Sequence, residues 1–178
     1  AIWEMGIRGL RVPIQDLEDE KTRRRMGLMR DVGHNFHVYV YDIPTVEQIS
    51  LIRENTDLIS QLEIVISWDK IKEYTRVLSD LTNQFGLDII LSRVNRKDSA
   101  KTSGGKFNHL ISHGFSLSET GELSNFLSDN KHLVSGVQFT ITRGDCPWKA
   151  CELVKKFADA TGCKPYLYVK STEASPAE

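Results

Sequence analysis

The sequence predicts an α/β fold built as a mostly parallel β/α repeat: an incomplete eight-unit barrel of about seven strands. Three observations carry that expectation. Short runs rich in Val, Ile, Leu, Phe and Tyr recur along the 178 residues, several of them nearly continuous in apolar character, and helical patterns with recognisable ends lie between most of them. Runs without polar alternation suit strands covered on both faces, as in a parallel sheet. Strand–helix alternation every 25–30 residues or so is the pattern of successive βαβ units.

The expected strands, in order, are Gly9–Ile14, Phe36–Tyr41, Leu62–Ser67, Leu87–Arg93, Phe107–Ser112, Val137–Thr142 and Pro165–Lys170. After the first, Glu18–Asp19–Glu20 precede Arg23–Arg24–Arg25, acids then bases, as the helix dipole favours on a solvated helix. Thr45 and Gln48 have the spacing of a capping box. Over 68–85, Ile71, Tyr74, Leu78, Leu81 and Phe85 share one helical face, and Gly86 stands where a C-cap belongs. The stretch from Val94 to Lys106 has no apolar stripe and reads as a loop, with a long hairpin and one antiparallel pair as the alternative. Near the end, Asp145 or Cys146 caps a helix with Pro147 in its first turn, an apolar stripe of Ala150, Leu153, Val154 and Phe157, and Gly162 as its stop.

A single β/α domain over 1–178 is expected. Ile2–Gly6 reads as the end of one helix and Ser175–Glu178 as the start of another, which suggests a piece of a longer chain. A doubly wound open sheet is the alternative architecture. The glycine fingerprint that opens its dinucleotide site is absent, and Gly104–Gly105–Lys106 precedes a strand rather than a helix.

A net charge of -1 disfavours nucleic acid as a partner, and no apolar run approaches the ~20 residues that span a bilayer. Three clustered cysteines make no disulfide framework, so a reduced, cytoplasmic protein is expected.

Parallel strands put their C-terminal ends on one face, where β/α enzymes build their sites. His113 follows an apolar run and precedes Gly114, so it is the candidate acid, base or metal ligand. Lys170 ends the last run, where a desolvated lysine acts as a carbonyl nucleophile or holds an anion. Asp42 and Asp69 follow the second and third strands as assisting carboxylates; with Asp145, Glu173 and His113 they form a candidate divalent-cation set. Arg96 and Arg143 are candidate anion holders, and Trp68 and Glu173 candidate substrate contacts. Asp16, Ser67 and Asp145 equally suit helix N-caps, and Lys170 equally suits a lysine reaching out to solvent.

The segments Gly9–Leu10–Arg11–Val12–Pro13, Ile111–Ser112–His113–Gly114–Phe115 and Cys146–Pro147–Trp148 resemble, in their order, those of TIM-barrel enzymes. The chain also resembles barrel regions of proteins that carry a calcineurin-like phosphoesterase domain. That enzyme's D-x-H and G-N-H metal motifs are missing here, so the resemblance implies no catalytic residue. The function expected is an enzyme, or enzyme fragment, acting on a small oxygenated or phosphorylated metabolite, by lyase or aldolase-like chemistry or metal-assisted hydrolysis. The alternative is a non-catalytic accessory domain paired with a second copy or with the rest of its parent chain.

Overall fold

Apolar runs buried for most of their length build the central strands, and residues of helical period build the layer that covers them. The computed structural model describes residues 4–67, 71–94, 113–130, 133–141 and 145–169. The elements are β1 (Gly9–Pro13), α1 (Gln15–Glu18), α2 (Glu20–Asp31), β2 (Asn35–Tyr41), α3 (Val46–Glu54), β3 (Ile59–Ile66), α4 (Ile71–Phe85), β4 (Asp88–Arg93), a 3₁₀ turn (Leu117–Glu119), α5 (Thr120–Asn130), β5 (Gly136–Ile141), α6 (Pro147–Thr161) and β6 (Lys164–Val169).

The six strands lie in one sheet in the order β1-β2-β3-β4-β5-β6, each pair parallel. The described helices pack against this sheet, which curls into an open half-barrel. The expected strand at Phe107–Ser112 lies outside the described residues. No helix among the described residues is long and apolar enough to cross a membrane.

Local chemistry explains the helix ends. Asp19 caps α2 by accepting from the Thr22 N–H at 2.8 Å. Thr45 and Gln48 close the capping box of α3. Cys146, not Asp145, occupies the N-cap of α6, with Pro147 behind it and Gly162 left-handed at its C-terminus. Leu153, placed by the sequence on the buried stripe of α6, is 43% exposed; Thr161 is buried on that helix instead.

Phe36, Val38 and Val40 of β2, Leu62, Ile64 and Ile66 of β3, and Val137 and Phe139 of β5 face the helices. They pack with Leu17, Ile52, Tyr74, Leu78, Leu127 and Phe157 in one core. Each such side chain contributes roughly 1.5–3 kcal/mol on burial, so the outer layer holds the fold together. The alternate strand residues face the hollow and are largely polar. Tyr166 of β6 reaches across it to take a hydrogen bond from Gln61 Nε2 of β3 at 2.5 Å.

Tyr166 crosses the sheet over Gly136, where a Cβ would stand 2.6 Å from both the Lys164 carbonyl oxygen and the Tyr166 ring. Gly136→Ala is therefore expected to cost about 2 kcal/mol or more in urea unfolding. Gly121→Ala in α5, where a Cβ meets nothing within 4 Å, is expected to leave stability unchanged or raise it by up to about 1 kcal/mol.

Candidate functional site

The hollow is organised around a charge. Glu63, in the middle of the apolar run of β3, is fully buried, and an isolated carboxylate in such a place is very unfavourable. Two strands away, Arg11 answers it with a fork: Nε donates to Oε2 at 2.6 Å and Nη2 to Oε1 at 3.0 Å. His37 Nε2 of β2 lies 3.1 Å from Glu63 Oε2 but off the line of a hydrogen bond, and is itself buried without a hydrogen-bond partner. Burial alone would push the Glu63 carboxyl up; the His37 ring and the Arg11 guanidinium outweigh it and hold the group at about 2.

The network climbs from this pair towards the C-terminal ends of the strands. Arg11 Nη2 also donates to His113 Nδ1, and His113 Nε2 is 2.7 Å from the Tyr41 hydroxyl. Tyr39 packs under the assembly, with the Arg11 guanidinium 4.0 Å above its ring and the His113 ring edge-on at 5.3 Å. His113 is buried, and burial, then the Arg11 charge, push its imidazole down to about 4 against the pull of Glu63. The ring is therefore neutral near pH 7.

The chain positions His113 by an unusual splice. β4 and β5 pair at Ile90–Gly136 and Leu91–Val137, and beyond that the segment 113–115 enters between them. His113 makes an isolated antiparallel bridge to Val94, while the segment 95–106, expected to form a loop or a long hairpin, lies outside the described residues. The Gly114 N–H donates to the Arg93 carbonyl at 2.7 Å, the Phe115 N–H to Gln138, and the Thr140 N–H back to Phe115. Gln138 Nε2 and Thr140 Oγ1 both donate to the His113 carbonyl. Gly114 at φ 124 is required: a Cβ would stand 2.7 Å from the Phe139 backbone.

Of the residues singled out from sequence, His113 joins this network. Asp42 sits on the exposed turn after β2 with a left-handed φ of 62; its Oδ1 accepts from the Tyr74 hydroxyl and from the Ile43 N–H. Lys170, Asp69, Arg96, Arg143, Trp68 and Glu173 lie outside the described residues. Among the described residues no group of three or more His, Cys, Asp or Glu side chains is arranged to hold a metal. The charge run of α2 lines a surface groove with Leu28 that shares no residue with the network. Cys146, Cys151 and Cys163 are all free.

Sequence reasoning missed Arg11, His37, Tyr39, Tyr41 and Glu63. The available signal was a charged residue inside an apolar strand, which calls for a buried partner elsewhere. No protein-family model, curated protein or solved structure matches the chain.

Arg11→Met leaves Glu63 charged and unpaired, and is expected to cost roughly 3–5 kcal/mol in urea unfolding at pH 7. The double variant with Glu63→Met is expected to recover most of that loss. His113 falls from its usual 6.5 to about 4, so between those values the unfolded chain takes up a proton that the folded chain refuses. Stability is expected to fall as pH drops through that window, by roughly 3 kcal/mol from this group. Glu63, held at about 2 against a usual 4.5, extends the loss in the same direction below pH 4.5. A His113→Gln variant, unfolded across the same pH range, is expected to lack the first stage and keep the second.

Proposed function

We propose that this half-barrel is an enzyme, or the site-bearing part of one, acting on a small oxygenated or phosphorylated metabolite at the C-terminal ends of its strands. One observation carries the reading: the ion pair of a fully buried Glu63 with a partly exposed Arg11 is linked through His113 to the Tyr41 hydroxyl at the last residue of β2. A stretch of core gains little stability from such a network, whereas a site needs donors fixed before the ligand arrives. The resemblance to TIM-barrel enzymes supports the same end of the strands; that to phosphoesterase-linked barrel regions adds no residue. Polarisation of a bound oxygen, as in lyase or aldolase-like reactions, suits these groups better than metal-assisted hydrolysis. Arg96, Arg143 and Lys170 would hold an anionic end of the substrate, and Asp42 or Asp69 would assist.

A second reading, a non-catalytic domain covered by a second copy or by another part of a longer chain, is favoured by the outer edge. Leu167 and Val169 of β6 are 42% and 67% exposed, on a strand whose far edge has no partner among the described strands.

A thermal-shift panel of phosphate, sugar phosphates, small keto acids and divalent metals separates the two. A ligand at 100 times its Kd is expected to add about 2.7 kcal/mol, several degrees in a domain of this size. The shift is expected to vanish in His113→Ala. A flat panel, together with self-association lost in Val169→Lys, overturns the enzymatic reading in favour of the second.

A further inference from the structure

We infer that Tyr41 is the group through which this network meets its ligand: its O–H is aimed outward as a hydrogen-bond donor to a strongly accepting oxygen, a carbonyl or a phosphoryl. The inference rests on the ligand-site reading above and names the contact atom and the ligand chemistry.

The direction of the hydrogen bonds follows from what each group can do. A guanidinium only donates, so His113 Nδ1 must accept from Arg11. A neutral imidazole has one ring proton, which therefore sits on Nε2 and is donated to the Tyr41 oxygen at 2.7 Å. A phenol has one hydrogen of its own. With its oxygen accepting from His113, that hydrogen points away from the ring, and no described residue takes it. Both His113 nitrogens are engaged, so the histidine reaches a ligand through Tyr41.

Exposure agrees with that division. Glu63 is fully buried and His113 is 5% exposed, whereas Tyr41 is 49% exposed at the end of its strand. Its ring is fixed edge-on against Tyr39 at 5.7 Å and against His113 at 5.2 Å. The donors run in one direction, Arg11 to His113 to Tyr41 to ligand, so each bond polarises the next and the charge of Arg11 is felt at the outer hydroxyl. An electron-rich oxygen is the partner such a donor favours.

The donation polarises its acceptor without transferring the proton. Burial and the neighbouring Tyr39 push the Tyr41 hydroxyl up, so it stays protonated through the neutral range. A phenolate formed there would face an imidazole with no second proton to give.

The test is made on the whole chain labelled with ¹⁵N-histidine and ¹³Cζ-tyrosine, as wild type and as Tyr41→Phe, with dihydroxyacetone and inorganic phosphate as the two probes. Expected are the Nε2–H tautomer of His113, a saturable shift of the Tyr41 Cζ signal with one probe, and at least tenfold weaker binding in Tyr41→Phe with its Tm within a few degrees. The probe that binds assigns carbonyl or phosphoryl. An Nδ1–H His113 would accept from the Tyr41 hydroxyl at Nε2 and so reverse the donor direction, and a doubly protonated ring could not accept from Arg11; either result overturns the inference. Binding that Tyr41→Phe leaves unchanged overturns the role of Tyr41 while sparing a site on this face. Saturation by neither probe overturns the ligand class; only the wider thermal-shift panel, if flat, removes the site itself.

Discussion

The buried carboxylate of Glu63 is the constraint around which the hollow is arranged. Inside β3 it cannot be solvated, and a neutral side chain of similar size would pack there at less cost. Keeping it requires a fixed cation, which is why Arg11 must lie on β1, one strand beyond β2, with both guanidinium donors aligned. Fixing Arg11 leaves one of its donors in reach of His113, and His113 in turn orients Tyr41. The outer end of the site is thus set by a requirement at its inner end.

The two faces of the sheet divide the work. The helix-covered face is aliphatic and aromatic and supplies the burial that makes the fold stable. The hollow face carries Arg11, Glu63, Gln138 and Thr140, whose hydrogen bonds give little net stability but allow few arrangements, with the rings of His37 and Tyr39 packed beside them. Such a face tolerates little relaxation, because a half-satisfied polar network costs more than an apolar one. That suits a surface whose atoms must stand in place before a ligand comes.

What the sequence makes legible is local. The capping box at Thr45 and Gln48, Pro147 and Gly162 around α6, and Gly86 after α4 depend on residues a few positions apart, and each stands where its spacing says. Strand identity and the parallel β/α order follow from the same local patterns. The site is legible only in part, because its partners are far apart in sequence: Arg11 and Glu63 are separated by 52 positions, Arg11 and His113 by 102. His113 was visible because a glycine follows it at a strand end. Glu63 hides within Leu62–Ile66, where one acid does not disturb an otherwise apolar run. Leu153 shows the converse: its helical phase suits the core, yet it lies on the margin of the stripe and faces outward.

The splice at 113–115 has a mechanical consequence. Because β4 and β5 pair only at Ile90–Gly136 and Leu91–Val137 among the described residues, the sheet behaves as two rafts, β1–β4 and β5–β6, joined along a short seam. His113 and Phe115 rivet that seam from above: the imidazole is fastened to the first raft through Arg11 and Tyr41, and the backbone to the first through Arg93 and to the second through Gln138 and Thr140. Shear between the rafts would load this rivet together with the Gln61–Tyr166 bond that also spans them. His113 is thereby also a fastener, and shear between the rafts would pull on the same bonds that orient its ring.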